Sequence, residues 1–445
     1  MLQNTILRFH RSSISIHQYV FICNADHAFI IKQQMEELGI GDNYMIITEP
    51  KGRDTAPAIA ISSLAADPDH LSIVVPSDHV FNDTEFAALI GEKVDTYTDS
   101  VVLFGVRPTH PSTAYGYIRS SGLADGYNAK EFVEKPDADT ATQYIRMGAY
   151  YWNAGVFLFK NKVMLDCFRK YAPDILGQCE SAFAKSVKAN KIMSLPEAEF
   201  GLCTPLSIDY AIMENICKDD TRNVPIRVYP YSHEWCDVGS FESLHEYILN
   251  QNTKGGSQMF NNVKVGDVHT LDAADCYIHS EKGLVAAVGV SNLVIVNTPD
   301  AVLVCDKKNT QDIKRVVKHL QTSKRTEHVF HTKVFRPWGW YVNVDGGDHS
   351  GIKIKRLLVY PAKRLSLQSH DKREEHWVVA RGKARVQVGD EVLTLSQNDY
   401  VHIPTKAVHR VENIGDEMLE IVETQIGTYL GEDDIVRYED DFGRV

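Results

Sequence analysis

Short apolar runs alternate with helix-like stretches over residues 18–250. The runs Tyr19–Asn24 (YVFICN) and Ser100–Val106 (SVVLFGV) are rich in β-branched and aromatic residues, which is typical of buried strands. Between such runs, Asp26–Gly39 (DHAFIIKQQMEELG) and Thr84–Tyr97 (TEFAALIGEKVDTY) have the apolar spacing of helices. This alternation predicts an α/β fold with an open, Rossmann-like, mostly parallel sheet, whose ligands bind at the carboxyl ends of its strands.

The hydrophobic pattern changes twice after this region. The segment 250–260 (NQNTKGGSQMF) is polar and contains Gly and Ser, which favours a domain boundary. Short strands follow, then a helix-like stretch at Thr310–Gln321. From about Thr332, polar and apolar residues alternate, and hairpin turns are predicted at 381–382 and 389–390. The sequence therefore predicts three domains: an α/β domain (1–250), a small β-rich connector (251–331) and an all-β barrel (332–445).

Bulk composition excludes several classes of protein. The chain of 445 residues has 44% apolar and 24% charged residues, as soluble globular proteins do. Its formal net charge of −12, without a long basic run, argues against non-specific nucleic-acid binding. No apolar run is long enough to span a bilayer, so we expect no membrane association. The eight cysteines are scattered without a C-x-x-C pair, which favours reduced thiols in a cytoplasmic protein.

A segment rich in His and Glu, LSLQSHDKREEHW, contains candidate metal ligands. On its own it also fits a polar, solvated turn. Gln368 and His370 are two residues apart and would share one face of a strand, with Glu375 close behind them. A fourth donor has to come from another strand, and His409 can supply it. This donor set suits Zn²⁺, Co²⁺, Mn²⁺ or Fe²⁺ and leaves positions for water and substrate; hydrogen-bonded polar groups inside a barrel are the alternative.

The segments around these residues resemble the two motifs of a cupin barrel. The first motif would contain Gln368, His370, Glu375 and Gly382, and the second Pro404, His409 and Asn413. Together with FRPWGWY (Phe335–Tyr341) and GTYLGEDDIVRYEDDFGR (Gly427–Arg444), they are similar to the type II phosphomannose isomerase domain. That domain is the C-terminal part of bifunctional mannose-1-phosphate guanylyltransferase/mannose-6-phosphate isomerases.

This resemblance implies a metal site and a reaction. The implied ligands are Gln368, His370, Glu375 and His409. Arg373 is the implied catalytic residue, holding phosphate or a sugar oxygen, although an exposed arginine is the alternative. The reaction would interconvert mannose 6-phosphate and fructose 6-phosphate by moving a proton between C1 and C2, with the metal stabilising the oxyanion. The sequence does not identify the base.

Seven motifs in the first domain resemble the sugar-phosphate nucleotidyltransferase domain of the same enzymes. They are EPKGRDTAPAIA (Glu49–Ala60), VVPSDHV (Val74–Val80), STAYGYI (Ser112–Ile118), FVEKP (Phe132–Pro136), YWNAGVFLF (Tyr151–Phe159), SIDYAIME (Ser207–Glu214) and WCDVGSFESL (Trp235–Leu244). The resemblance implies a nucleotidyltransferase-like domain that joins GTP and mannose 1-phosphate into GDP-mannose, releasing diphosphate. Such an activity would feed polysaccharide biosynthesis.

The same resemblance assigns residues to Mg²⁺ and to phosphate. Asp78 and Asp237 would hold the Mg²⁺ ion, which proteins usually bind through one or two carboxylates plus substrate phosphates. As isolated residues, both could instead cap a turn or a helix. Lys135 would place a catalytic cation against phosphate, and Glu134 would accept hydrogen bonds from sugar hydroxyls. A solvated Lys–Glu ion pair is the alternative.

Three further residues complete the implied sugar site. Asn153 suits sugar recognition, and Gly116 of STAYGYI is an expected substrate contact. In the same motif, Ala114 stands where the family commonly has Gly, which adds a methyl group near the sugar. Asp209 could begin a helix or reach a ligand.

One family motif does not occur in this chain. Family members open with a glycine-rich loop of the type GGxGTRLWP, whose backbone amides hold the nucleotide phosphates. The sequence from Met1 (MLQNTILR) resembles the family sequence just beyond that loop. Because electrostatic stabilisation supplies most of the rate of phosphoryl transfer, we expect guanylyltransfer by this chain alone to be poor or absent. The alternatives to a bifunctional enzyme are an isomerase with an inactive transferase domain and a non-catalytic sugar-nucleotide-binding subunit. The sequence is compatible with an oligomer but does not specify one.

Overall fold

The computed structural model describes residues 1–93, 99–122, 128–219, 221, 224–253, 261–323, 325, 327–328 and 332–440. Contacts divide the chain into two compact units, Met1–Gln258 and Met259–Val445. The division into three domains stays a prediction, and residues 254–260 of the predicted linker lie outside the described part. No described helix is both long enough and apolar enough to cross a membrane.

The first unit alternates strands and helices, as the hydrophobic pattern predicts. Its strands are β1 (Tyr19–Asn24), β2 (Tyr44–Glu49), β3 (Leu71–Val74), β4 (Val80–Phe81), β5 (Val101–Val106), β6 (Tyr117–Ser120), β7 (Ala129–Val133), β8 (Tyr150–Lys160), β9 (Val187–Ala189), β10 (Ile192–Ser194), β11 (Ile226–Tyr231) and β12 (Trp235–Cys236). Its helices are α1 (Leu2–His10), α2 (Ala28–Glu37), α3 (Thr55–Ala65), α4 (Asp83–Lys93), α5 (Ala138–Met147), α6 (Asn161–Tyr171), α7 (Pro173–Ala184), α8 (Glu197–Phe200), α9 (Glu214–Lys218) and α10 (Phe241–Thr253). A 3-10 turn at Ala25–His27 precedes α2, and a π-helical turn at Asp209–Met213 precedes α9. The predicted helix at 84–97 is present as α4, and its residues 94–97 lie outside the described part.

Two larger sheets organise the first unit. One has the order β1-β2-β10-β9, and the other has the order β11-β5-β8-β6-β7 with β3 beside β8. The α/β fold class is confirmed, but strand directions differ from the predicted mostly parallel arrangement. Strand β8 runs antiparallel to β3, β5 and β6. The reason is that β6 and β7 are antiparallel, so the chain reverses there, and the α5 crossover then delivers β8 in the reversed direction.

Helices cover both faces of the second sheet. Val101 and Leu103 of β5 join a core cluster with α3, α6 and α7 on one side. Val102 and Phe104 join a second cluster with Phe86 of α4 on the other side. Because both faces are buried, β5 is a continuous apolar run, and ligand-binding side chains have to come from strand ends and loops.

The second unit is rich in strands throughout. They are β13 (Val263–Leu271), β14 (Tyr277–Val288), β15 (Leu293–Asn297), β16 (Val302–Asp306), β17 (Lys333–Arg336), β18 (Gly339–Gly346), β19 (Ile352–Val359), β20 (Leu367–His370), β21 (Arg373–Arg381), β22 (Lys383–Val388), β23 (Glu391–Ser396), β24 (Tyr400–Ile403), β25 (His409–Asn413), β26 (Leu419–Gly427) and β27 (Ile435–Glu439). Helix α11 (Ile313–Thr322) follows a 3-10 turn at Lys307–Asp312, and another 3-10 turn at Glu432–Asp434 precedes β27.

Strands β13 to β16 form a small sheet, in which β13, β14 and β15 are parallel and β16 is antiparallel. The later strands form two sheets with the orders β17-β18-β19-β26-β21-β24 and β23-β22-β25-β20-β27. Both sheets contribute to one hydrophobic core, for example through Trp377 and Leu419 from the first and Val386 and Val411 from the second. The predicted all-β, cupin-like fold is confirmed.

The chain changes sheets at Gly382. The turn at 389–390 joins β22 and β23 into a hairpin, as predicted. The predicted hairpin at 381–382 is wrong, because β21 pairs with β24 and β26, whereas β22 pairs with β23 and β25. Gly382 has a φ of +88°, a conformation that glycine adopts without steric cost, and the chain crosses between the two sheets there.

Candidate functional sites

Three of the predicted metal ligands converge from both sheets of the cupin-like domain. His370 of β20, His409 of β25 and Glu375 of β21 are almost completely buried. Nε2 of His370 lies 3.1 Å from Oε1 of Glu375, and Nε2 of His409 lies 3.5 Å from Oε2 of the same carboxylate. One ligand atom from each residue lies within 4.8 Å of the others, so a single cation could contact all three.

Gln368 joins this group from β20. Its backbone pairs with His409 on β25, and its Oε1 accepts a hydrogen bond from Ser366 Oγ at 2.9 Å. Gln368 lines the same cavity as Glu375 and Arg373. The structure therefore brings three of the predicted ligands within reach of one cation and places Gln368 in the cavity lining with Glu375. Their role as ligands stays a prediction.

Burial and mutual contact set the charges in this group. Burial alone would raise the pKa of Glu375, but the neighbouring imidazoles of His370 and His409 hold it well below its ordinary value. Burial lowers the pKa of His370. Burial also opposes protonation of His409, yet the Glu375 carboxylate outweighs it and raises the pKa of His409. The lowered pKa of Glu375 favours its ionised form, the state that metal ligation requires.

An unsatisfied buried atom indicates that this group fits a metal ion. Nε2 of His409 makes no hydrogen bond to any described residue, although the ring is buried. Nδ1 of the same ring lies 2.9 Å from the carbonyl oxygen of Ala407. Metal-bound imidazoles are commonly oriented by such a contact from their second nitrogen. The mixed nitrogen and oxygen donors suit a first-row divalent ion.

Arg373 is buried beside the ligands, not exposed to solvent. Its Nε donates to Oε1 of Glu375 at 3.0 Å, and its Nη1 donates to the carbonyl of Gly431 at 2.9 Å. Nη2 lies 3.4 Å from Nε2 of His370. These contacts fix the guanidinium in the wall of the cavity, where its charge can meet an anionic ligand.

The cavity has a polar wall that sequence reasoning missed. Its lining includes Lys355 of β19, Glu423 and Gln425 of β26, and Glu432 of the turn before β27. Gln425 Nε2 donates both to Oε1 of Glu375 at 3.2 Å and to Oε1 of Glu423 at 2.6 Å. Lys355 Nζ donates to Oε1 of Glu432 at 2.5 Å. The sequence does contain a sign of this polar wall in the strand LEIVETQIG. There, Glu423 and Gln425 continue the alternation of the buried apolar residues and therefore lie on the same strand face.

His376 faces the opposite side of its strand from Glu375, as their alternation predicts. Its Nδ1 lies 2.6 Å from Tyr400 Oη, and its ring stacks on that of His402 with centroids 4.7 Å apart. With Glu374, these two histidines form a second group of metal-compatible side chains, on a partly exposed face. Because this group lies outside the cavity lining, it offers controls for substitutions in the ligand set.

In the first unit, five predicted site residues form one polar group. Asn153 Nδ2 donates to Oδ1 of Asp209 at 3.0 Å, and the backbone N–H of Asn153 donates to the carbonyl of Gly116 at 2.8 Å. Glu134 lies so close to Gly116 that a Cβ added to this glycine would collide with Oε2 of Glu134. Lys135 Nζ lies 3.0 Å from Oε1 of Glu134. The glycine is therefore what lets the carboxylate approach the strand.

The charges of this group are unevenly exposed. Burial, reinforced by the Glu134 carboxylate, raises the pKa of Asp209 to about 7. The hydrogen bond to Glu134 raises the pKa of Lys135. The Lys135 side chain is 59% exposed, whereas that of Glu134 is 9% exposed. The lysine charge is thus accessible to a ligand from solvent while the carboxylate faces the interior.

The two residues predicted to bind Mg²⁺ lie at one end of the β4–β12 ladder. Asp237 directly follows β12, and Asp78 lies just before β4. Because the two strands are antiparallel, both residues lie at the same end of the ladder. Tyr115 Oη donates to Oδ1 of Asp237 at 3.0 Å. Burial lowers the pKa of His79, while both carboxylates act in the opposite direction on the same imidazole. Oxygen donors at this position suit Mg²⁺.

Family models match most of the chain. A model described as Nucleotidyl transferase matches residues 1–254. A model described as MannoseP isomerase/GMP-like beta-helix domain matches residues 266–320. A model described as Mannose-6-phosphate isomerase C-terminal matches residues 323–440.

Several curated proteins are similar over nearly their whole length. The mannose-1-phosphate guanylyltransferase of Escherichia coli K12 is 39% identical over 459 residues, covering 100% of this chain and 92% of that protein. The xanthan biosynthesis protein XanB of Xanthomonas campestris pv. campestris B100 is 40% identical over 449 residues, with coverage of 100% and 92%. Among solved structures, the mannose-1-phosphate geranyltransferase of Thermus thermophilus gives a TM-score of 0.58 at 28% identity, over 72% of this chain and 89% of that one.

A nucleotidyltransferase fold followed by a cupin-like sheet domain defines a class of enzymes that act on sugar phosphates. The similarity of this chain extends over both parts and over the small sheet between them. The chain belongs to the bifunctional mannose-1-phosphate guanylyltransferase/mannose-6-phosphate isomerase family, and the resemblance found in its motifs is confirmed.

Proposed function

We propose that this chain supplies GDP-mannose for polysaccharide synthesis in the cytoplasm. Its second unit would interconvert mannose 6-phosphate and fructose 6-phosphate, and its first unit would join GTP and mannose 1-phosphate. The observation that carries the isomerase is the buried group of His370, Glu375 and His409, whose Glu375 lines a cavity together with Gln368 and Arg373. The names of relatives agree, since XanB and AlgA are named for xanthan and alginate biosynthesis.

In the isomerase site, these four residues would hold a divalent ion, with Zn²⁺, Co²⁺, Mn²⁺ and Fe²⁺ as candidates. Such an ion stabilises negative charge on sugar oxygens during proton transfer. Arg373, fixed by Glu375 and Gly431, would bind the phosphate or a sugar oxygen. Arg336 adds a further cation to the cavity lining for the doubly charged phosphate.

Isomerisation of mannose 6-phosphate by the purified chain tests this function. The protein is stripped of metal and then loaded separately with each candidate ion. We expect turnover that depends on the added ion and is lost in Glu375→Gln. Absence of turnover with every ion, at measured full occupancy, would contradict the isomerase.

A second activity, guanylyltransfer, is favoured by the polar groups of the first unit. Asp78 and Asp237 would hold Mg²⁺ with the GTP phosphates, and Lys135 would stand against phosphate. Glu134, Asn153, Asp209 and Gly116 would surround the sugar. Positioning of the two substrates supplies much of the rate in such transfers.

Formation of GDP-mannose and diphosphate from GTP and mannose 1-phosphate tests this half. Guanylyltransfer is measured beside isomerisation on the same protein. Binding of both substrates without either turnover would favour the sugar-nucleotide-binding subunit instead.

A further inference from the structure

Isomerisation needs a group that takes a proton from one carbon and returns it to the next. The inference here rests on the proposed isomerase function, in which the metal is bound by Gln368, His370, Glu375 and His409. As ligands, these residues would not be free to accept a proton. Arg373 stays protonated and cannot accept a proton. The base must therefore be another side chain that faces the cavity.

Three glutamates line this cavity, and two of them are poor candidates. Glu375 belongs to the ligand group. Glu432 is paired with Lys355 at 2.5 Å. Burial alone would raise the pKa of Glu432, but the Lys355 ammonium lowers it to about 2. A carboxylate with so low a pKa is a weak base. The remaining cavity carboxylate is Glu423.

Glu423 lies on β26, two residues before Gln425, which pairs with the candidate ligand Glu375 of the neighbouring strand β21. In the pairing of β21 with β26, Gln425 lies opposite Glu375 and Glu423 lies opposite Trp377. Glu423 and Gln425 both point inward, with 5% and 1% of their surfaces exposed. The Gln425 amide donates to both carboxylates, so it sets the spacing between Glu423 and Glu375. Glu423 and Glu375 therefore line the same cavity, and a sugar held at Glu375 would share that cavity with the Glu423 carboxylate.

Charges from several elements act on Glu423. They are Glu375 and Arg373 of β21, Lys355 of β19 and Glu432 of the turn before β27. Burial, followed by the Glu375 carboxylate, raises the pKa of Glu423 to about 7, against the opposing charges of Lys355 and Arg373. Glu423 is thus a carboxylate of the cavity wall that lies outside the ligand group, where a side chain can take up and return a proton of the substrate.

We propose that Glu423 is the catalytic residue that carries the proton between C2 and C1 of the hexose phosphate. From the open-chain aldehyde of mannose 6-phosphate, its carboxylate takes the hydrogen of C2 as a proton. The C2–H electron pair becomes the C1–C2 double bond, and the carbonyl pair moves to O1. The O2 hydroxyl proton then passes to O1. The O2 electron pair forms the C2 carbonyl, and the double-bond pair takes the proton from Glu423 at C1. The step balances without an oxidant or reductant.

Glu423→Gln tests the assignment, because it removes the base but keeps the size and the acceptor oxygen that faces Gln425. We expect kcat for isomerisation to fall by about 10²–10⁴-fold. Bound metal and the affinity for mannose 6-phosphate, measured by mass spectrometry and calorimetry, should be unchanged. The matched control is Glu420→Gln on the same strand, whose side chain pairs with Arg356 outside the cavity lining. It should keep wild-type turnover.

Glu423→Asp adds a second measurement, because it retains a carboxylate. This variant should keep part of the turnover, and its kcat should still fall at acid pH, as in the wild-type enzyme. The residual activity of Glu423→Gln should not show this fall. Nearly full kcat in Glu423→Gln would overturn the assignment. Loss of bound metal together with kcat would also overturn it, since Glu423 would then position the ligands. A wild-type chain without any turnover would refute the proposed function itself, and this assignment would fall with it.

Discussion

Nε2 of His409 faces Oε2 of Glu375 at 3.5 Å, although the two residues belong to different sheets. The buried contact joins the sheets at the point where His370, Glu375 and His409 meet. A cation there would link the two sheets as well as activate a substrate. Metal occupancy should therefore affect both the stability of the cupin-like domain and its activity.

His409→Ala should remove metal and isomerase activity together. The substitution takes away one of two imidazole donors, so we expect metal affinity to fall by at least about tenfold and kcat/KM by about 100-fold. Metal content after dialysis and a coupled isomerase assay measure the two effects. His402→Ala on the partly exposed face is the control and should leave both unchanged. Full metal content in His409→Ala would contradict the ligand role.

Asp209→Asn should stabilise the protein at alkaline pH only. The pKa of Asp209 is raised from 3.8 to about 7 on folding. The contribution of this carboxyl group to the free energy of unfolding is therefore complete below pH 3.8 and is lost as the pH rises through 7. Asn cannot ionise. Because Asp209 is partly exposed, we expect a gain of about 2 kcal/mol at pH 8 and almost none at pH 4. Urea unfolding at both pH values measures it, and an equal gain at both would contradict the shift.

Gly116→Ala should weaken binding of mannose 1-phosphate. The added Cβ would collide with the Glu134 carboxylate and push it away from Gly116. We expect affinity to fall by about tenfold, as for the loss of one good hydrogen bond to a sugar, while isomerisation is unchanged. Gly177→Ala is the control, because a Cβ on that α7 glycine meets nothing within 4 Å. Equal affinity in both variants would argue against this sugar pocket.

Asp78→Asn and Asp237→Asn should each weaken the binding of GTP in the presence of Mg²⁺. Loss of one carboxylate removes a charge that the ion needs, so we expect an effect of at least about tenfold. Calorimetry with and without Mg²⁺ gives a result that does not depend on turnover. Tyr115→Phe should have a smaller effect, because it only frees the carboxylate of Asp237 that it orients. GTP binding that is independent of Mg²⁺ in the wild-type chain would contradict the assignment.

The sequence was sufficient to predict which ligand candidates meet. Gln368 and His370 share a strand face by simple alternation, and the resemblance to two paired motifs brought in His409 from a distant strand. The turn at 389–390 was also predictable, because its Gly-Asp pair joins adjacent strands. The turn at 381–382 was not, because a positive φ at Gly382 fits both a hairpin and a crossing between sheets.

The contribution of β19 to the cavity wall could not be predicted, because this strand reverses the usual pattern. Its sequence IKIKRLLV suggests that Ile352 and Ile354 face the core. The structure instead buries Lys353 and Lys355 and leaves Ile352 exposed. Lys355 is stabilised inside by Glu432, a partner from a distant turn that alternation along one strand does not reveal. Strand direction in the first unit was missed for a similar reason, since only the β6–β7 pairing shows that β8 is reversed.

Strand β20, which carries two candidate ligands, lies between β25 and β27. Both neighbours are translated after it, and β27 is nearly the last element of the chain. The nucleotidyltransferase unit, whose residues all come earlier, can fold while the ribosome is still elongating. The isomerase pocket can assemble only once Glu439 has emerged. The two candidate sites of one polypeptide can thus form at different moments of its synthesis.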